Sequence, residues 1–139
     1  MIQKLLSPTS WSASATDWAS LILRLTFGLL MLSHGIPKMM KLMNGNMEFG
    51  DPIRIGVPAS LTLAVFSEVV CSVLIVLGLW TRLALIPLII TMAVAVFVVH
   101  INDALGTMEP ALLYLLSYCA LFLLGSGTFS IDAALKRKA

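Results

Sequence analysis

LILRLTFGLLMLSHGIPK, Leu21 to Lys38, is apolar enough to enter a membrane, yet it carries Arg24 in its first half and His34 and Lys38 at its end. Arg24, Phe27, Met31, His34 and Lys38 recur at steps of three and four, so the polar groups of the segment share one helical face. A guanidinium in the hydrocarbon layer costs at least ~2.5 to 3.5 kcal/mol on insertion scales, and such residues face a bundle interior or a wet cavity. That face is therefore expected to point into protein, with an acidic partner for Arg24 supplied from elsewhere in the chain.

The remainder of the 139 residues extends this reading. With 59% hydrophobic and 12% charged residues, the composition lies outside the range of soluble domains. A spanning helix takes about 20 mostly apolar residues. Four stretches qualify: Trp18 to Gly35, Ala59 to Leu79, Leu83 to Ile101 and Pro110 to Leu124, the last so short that either its span runs from Glu109 to Gly127 or its helix sits nearly upright. The expected fold is all-α, a polytopic membrane four-helix bundle. Residues 1–17 form a polar arm without the apolar core of a signal peptide, 18–127 the transmembrane domain, and 128–139 an interfacial tail. Thr16 or Asp17 is the expected cap of the first helix and Ser130 that of a last short one. Pro37 is expected to force Ile36 out of helical geometry or to start a new turn, and Asn44-Gly45 to break the amphipathic turns of KMMKLM.

The basic residues give the orientation. Lys4, Arg82, Lys136, Arg137 and Lys138 fall on one side of a four-helix path and Lys38, Lys41 and Arg54 on the other, five against three. The positive-inside bias then puts both termini in the cytoplasm. The expected location is the bacterial inner (cytoplasmic) membrane, with the lipid bilayer as first partner. A net charge of +2 without a basic run interleaved with aromatics gives no basis for nucleic-acid binding. Cys71 and Cys119 lie in apolar spans without a C-x-x-C, where cysteine is a small packing residue more often than half of a redox pair.

Glu68 stands near the centre of the second span. Counting from the middle of each span, its depth differs from that of Arg24 by about 6 Å, at 1.5 Å per residue, so Arg24 and Glu68 are expected to form an intramembrane ion pair. At the external ends His34, Lys38, His100, Asp103 and Glu109 collect, with Tyr114 on the fourth helix. This ligand pocket has the chemistry to move protons, bind a metal, or hold an anionic or quinone head group. Met39, Met43 and Met47 are a thioether set of the kind copper(I) prefers, but the Asn-Gly turn interrupts their face and no metal site is assigned.

Taken in order, LRLTFGLLMLSHGIPKM with Arg24, Gly28, His34, Gly35 and Lys38, FSEVVCSVLIVLGLWTR with Glu68, Gly78, Thr81 and Arg82, AVFVVH ending at His100, and LLYLLSYCALFLLGSGTFSIDAAL resemble the DoxX family of small four-helix membrane proteins from Leu21 to Leu135. The resemblance implies an association with oxidoreductase or respiratory systems, since members of that family are linked with thiosulfate-to-quinone electron transfer and membrane redox complexes. No C-x-x-C, nucleotide-binding glycine loop or cysteine cluster for iron and sulfur is present, so no catalytic centre of the chain's own is evident. The leading expectation is an accessory membrane subunit that binds quinone near Tyr114 and His100 and docks a redox partner protein. Two others stand beside it. One is a proton or solute transporter acting as a homo-oligomer with Arg24 and Glu68 as midplane gate. The other is an assembly factor or structural subunit.

Overall fold

A computed structural model describes residues 13–137. Four helices are long and apolar enough to cross a membrane: α1 (Ala13–Met43), α2 (Val57–Leu77), α3 (Thr81–Val99) and α4 (Leu105–Leu124). A short α5 (Ile131–Lys136) follows, and no strand occurs among the described residues. Helices adjacent in sequence pack side by side, and α4 closes the ring against α1. Each helix runs antiparallel to the one before it, α2 to α1 as the contacts of Gly28 with Val76 and of Gly35 with Glu68 show, and the later ones through short connections. Large apolar side chains such as Ile22, Leu29, Ile90, Phe97 and Leu116 are exposed on the outer faces, where lipid is their solvent. The chain is a multi-pass membrane protein.

In lipid, burying leucine against leucine gains little, and helix association relies on close packing at small residues. α1 supplies them: its buried line is Ser20, Arg24, Gly28, Met31 and Gly35. A Cβ on Gly28 would press into Val76, and one on Gly35 would lie 2.9 Å from the backbone carbon of Glu68. These two glycines fix the register of α1 against α2. Met31 joins Ile75, Leu85, Leu88, Tyr118 and Leu121 in the core. Across the bundle the Tyr118 hydroxyl donates to the Phe27 carbonyl at 3.2 Å, and Thr91 donates to Ser67 at 2.9 Å.

Several expected boundaries shift. α1 continues through Pro37 to Met43, because in a membrane bundle the bond lost at proline is made good by local adjustment and neighbours. It begins at Ala13, so neither Thr16 nor Asp17 caps it. Thr16 bonds back to the Ala13 carbonyl and Asp17 receives Thr128. Residues 1–12 of the expected arm, with Trp11, lie outside the described residues. α4 starts at Leu105, ahead of Pro110. Ser130 does cap α5, accepting from the Ala133 amide at 3.1 Å.

The end of the bundle where the described residues begin and end is closed by the segment after α4. Ser20 donates to the Gly125 carbonyl at 2.6 Å, Asp17 accepts from the Thr128 amide at 2.9 Å, and Trp18 rests on Phe129 with ring centroids 4.8 Å apart. Asp132 then caps α3 by accepting from the amides of Trp80 at 2.8 Å and Thr81 at 3.1 Å. Gly78 ends α2 at φ +69°, a left-handed conformation that glycine adopts at no steric cost. A side chain there would also strike the Arg24 guanidinium and Ser130.

The glycine register gives a test of opposite signs. Gly35→Ala pushes a methyl into the α2 backbone and should lower unfolding stability in detergent by about 1 to 3 kcal/mol. Gly106→Ala adds its methyl where nothing lies within 4 Å, and should raise stability by up to about 1 kcal/mol. Thermal unfolding of the two variants reads this directly, and a Gly35→Ala protein as stable as the parent would remove glycine packing as the source of register.

Candidate functional site

At the opposite end the four helices part around a cavity of about 440 Å3. Met31, Leu63, Ala64, Ile90, Met92 and Ala111 give it apolar walls, and His34, Lys38, Glu68, Thr91, His100 and Tyr114 its polar groups. Phe49, Gly50, Pro52 and Ile53 of the α1–α2 connection lie over it. Two helices are wound wider here: Phe66–Cys71 in α2 and Ala95–Val99 in α3 each form a π-helical turn. Such turns insert a residue and redirect the side chains around it, and they recur at functional sites. Glu68 sits within the first, and Ala95 and Val99 line the cavity from the second.

Lys38 donates to both oxygens of Glu68, at 2.5 Å to Oε1 and 2.7 Å to Oε2. The Glu68 side chain is 3% exposed and that of Lys38 30%. Lysine therefore reaches in from the bundle end to a nearly buried carboxylate, its Nζ lying 5.8 Å from the Phe49 ring centroid. The expected pairing of Arg24 with Glu68 does not form. Arg24 is fully buried at the level of Gly78, ten positions along α2 from Glu68, or about 15 Å at 1.5 Å per residue. Its Nη2 donates instead to the Phe129 carbonyl at 2.5 Å, and Asp132 is the carboxylate that acts on it electrostatically. The expectation failed because it took α1 to end near Gly35. It also aligned the middles of the two spans, whereas the helices pack with Gly28 against Val76 and Gly35 against Glu68, so that Lys38, one turn beyond Gly35, is the cation within reach of Glu68.

The structure brings His34, Lys38, His100 and Tyr114 to one cavity. The His34 and Tyr114 rings meet edge to face, 5.8 Å between centroids. At the rim His100 Nδ1 pairs with Asp103 Oδ2 at 2.7 Å, leaving Nε2. Glu109 does not join them. It is exposed on the first turns of α4, because that helix starts before it instead of after it. Cys71 is buried, Cys119 exposed, and both are free thiols, so they do not form a pair.

One residue was missed by reading the sequence. Asp51 holds the covering loop onto α2, accepting from Ser60 Oγ at 2.6 Å, the Gly56 amide at 2.8 Å and the Ile55 amide at 3.1 Å. The hydrogen bond from Ser60, then those from the loop amides, hold its carboxyl below its ordinary value of 3.8. The Asp51-Pro52 dipeptide marks a turn, which is the signal that was available. That a serine nine positions later would complete it is a tertiary fact.

Comparison with known proteins gives a consistent result. The DoxX family model matches residues 19–101. An uncharacterized membrane protein of Mycobacterium tuberculosis is 42% identical over 80 residues, which cover 53% of this chain and 46% of that protein. An uncharacterized protein of Haemophilus influenzae is 31% identical over 121 residues, 79% of this chain and 85% of that one. The chain thus matches about half the length of the mycobacterial relative and most of the other. No solved structure matches it.

Two outcomes follow from the geometry. In a double-mutant cycle, Lys38→Met and Glu68→Gln should couple by about 1 to 3 kcal/mol, whereas Arg24→Gln and Glu68→Gln should add within about 0.5 kcal/mol. Thermal unfolding in detergent measures both, and the reverse pattern would restore the Arg24–Glu68 pair. For Asp51, the folded group binds its proton less readily than the unfolded one, so its hold on the loop is complete above 3.8 and is lost as pH falls through the folded value. Amide exchange at Ile55 and Gly56, corrected for intrinsic rate, should accelerate below 3.8 in the parent and be fast at every pH in Asp51→Asn. Protection that persists unchanged in Asp51→Asn would contradict the anchoring role.

Proposed function

Because the chain belongs to the DoxX family, we propose that it serves as an accessory membrane subunit of an oxidoreductase or respiratory system in the bacterial cytoplasmic membrane, with a quinone head group held in the His34 cavity. The observation that carries this reading is the convergence of unspent donors on an apolar-walled space. Among the described residues neither His34 nor the Tyr114 hydroxyl has a hydrogen-bond partner, and both line the cavity. Lys38 has given two of its three N–H groups to Glu68. A quinone ring offers carbonyl oxygens that accept and do not donate, and its prenyl tail suits Leu63 and Ile90 on the lipid side. At about 440 Å3 the space falls in the ~300 to 1,000 Å3 range of small-molecule sites.

A bound quinone would supply two-electron, two-proton chemistry, and the chain's own residues would bind and orient it. The Lys38–Glu68 pair keeps a charged group at the site without a net charge, so an uncharged ring can approach. His100, fixed by Asp103 through Nδ1, is placed to hold a proton at Nε2. In this reading the electrons come from a redox partner protein. Both termini are taken as cytoplasmic from the distribution of Lys and Arg, which puts the cavity on the external side. A transport reading needed Arg24 and Glu68 to act as one gate, and their separation favours the binding reading.

Equilibrium dialysis of decyl-ubiquinone against the full-length protein in detergent tests the proposal. Saturable binding is expected, weakened about fivefold by Tyr114→Phe and by His34→Ala, the worth of about 1 kcal/mol per neutral hydrogen bond. No saturable binding, or identical binding by both variants in folded protein, would contradict it.

A further inference from the structure

The closed end of the bundle carries a second concave surface that the cavity's function does not use. A groove of about 660 Å3 runs between the start of α3, the end of α4 and α5. Arg82 and Lys136 line it, with Trp80, Leu83, Leu124 and Leu135, and Arg137 adjoins it in sequence. Arg82 is held in place: its Nε donates to the Phe122 carbonyl at 3.1 Å and its Nη2 to the Leu123 carbonyl at 3.4 Å. A guanidinium has five N–H donors, and the remaining ones have no protein acceptor among the described residues. Asp132, the one carboxylate lining the groove among the described residues, keeps its charge but turns both oxygens onto the start of α3. Asp132 Oδ1 accepts from the Trp80 amide, and Oδ2 from the amide and hydroxyl of Thr81. Among the described residues Arg82, Lys136 and Arg137 make no ion pair. With Arg82 and Lys136 against the single carboxylate of Asp132, the groove presents net positive charge on a preorganised scaffold.

What surrounds that charge identifies its occupant. Leu83 is 65% exposed and Leu124 40%, and both continue onto the lipid-facing surfaces of α3 and α4. Trp80, 63% exposed at the head of α3, is the residue type that sits at the head-group level. Phosphate-binding cations directly above an apolar, lipid-facing wall match one molecule with an anionic head and acyl chains. We propose that this groove is a binding site for an anionic phospholipid, its phosphate held by Arg82 and Lys136 and its chains laid along Leu83 and Leu124. A soluble anion would satisfy the cations and leave the leucines unused. Basic pockets between transmembrane helices bind anionic head groups in this manner.

Native mass spectrometry of the full-length protein in detergent, titrated with phosphatidylglycerol or with phosphatidylcholine of the same acyl chains, tests the site. The parent should retain phosphatidylglycerol in preference, and each cation removed should lower that preference about fivefold, so that Arg82→Gln/Lys136→Gln binds the two lipids nearly alike. Lys136→Glu with Arg82 intact gives the same reading in a protein whose α4 contacts are undisturbed. Lys41→Gln, which removes a charge at the other end, should keep the preference, and inorganic phosphate should not displace the lipid. Equal retention of both lipids by the parent, a preference that survives in Lys136→Glu, an equal loss in Lys41→Gln, or displacement by phosphate would each overturn the proposal.

Discussion

A carboxylate in the middle of an apolar helix bundle requires a cation within hydrogen-bonding distance, and the position of that cation constrains everything near it. Glu68 meets the requirement through Lys38, which approaches from the end of α1 and donates to both carboxylate oxygens. Removing either partner of a buried pair leaves an uncompensated charge, so α1 must hold Lys38 level with Glu68. Gly35 does so, one turn before Lys38, by letting α1 lie against the Glu68 backbone. The π-helical turn that contains Glu68 then widens α2 where the helices part, and the cavity opens beside the pair.

The two ends of the bundle solve the same problem differently. At the cavity end the charges lie on two transmembrane helices and border space. At the other end Arg24 is fully buried and tied to a backbone carbonyl of the returning segment, with no space around it. That segment is held by Ser20, Asp17 and the Asp132 cap on α3, and it needs glycine at position 78 to let the guanidinium through. One end is closed and the other opens onto a cavity. This division favours a protein that binds something over one that conducts something.

Much of the fold is written in the pattern of apolar residues. Four spans, their order and the inward face of α1 follow from composition and from steps of three and four. The candidate site was partly legible, because His34, Lys38 and His100 fall at one end of those spans whatever their exact limits, with Tyr114 deeper on the fourth. The partner of Glu68 was not. That choice turns on register, which is set by Gly28 on Val76 and Gly35 on Glu68 and not by the middles of the spans, and Pro37 gave a stop signal that the bundle overrides. Glu109 was misplaced for a similar reason, since α4 begins five residues before Pro110. The loop over the cavity could not be foreseen, because the hydrogen bond from Ser60 to Asp51 joins a connection to a helix.

The account rests on the cavity beside Lys38 and Glu68 being a ligand site for a head group that accepts hydrogen bonds. Photo-crosslinking with an azido-quinone, followed by mass-spectrometric mapping of the labelled residues, tests this most directly. The account predicts that label concentrates on Met31, Met92, Ala111 and Tyr114 and is reduced by excess unlabelled quinone. Label spread over the lipid-facing side chains, such as Ile22, Leu29 and Leu116, and unaffected by competitor, would contradict it.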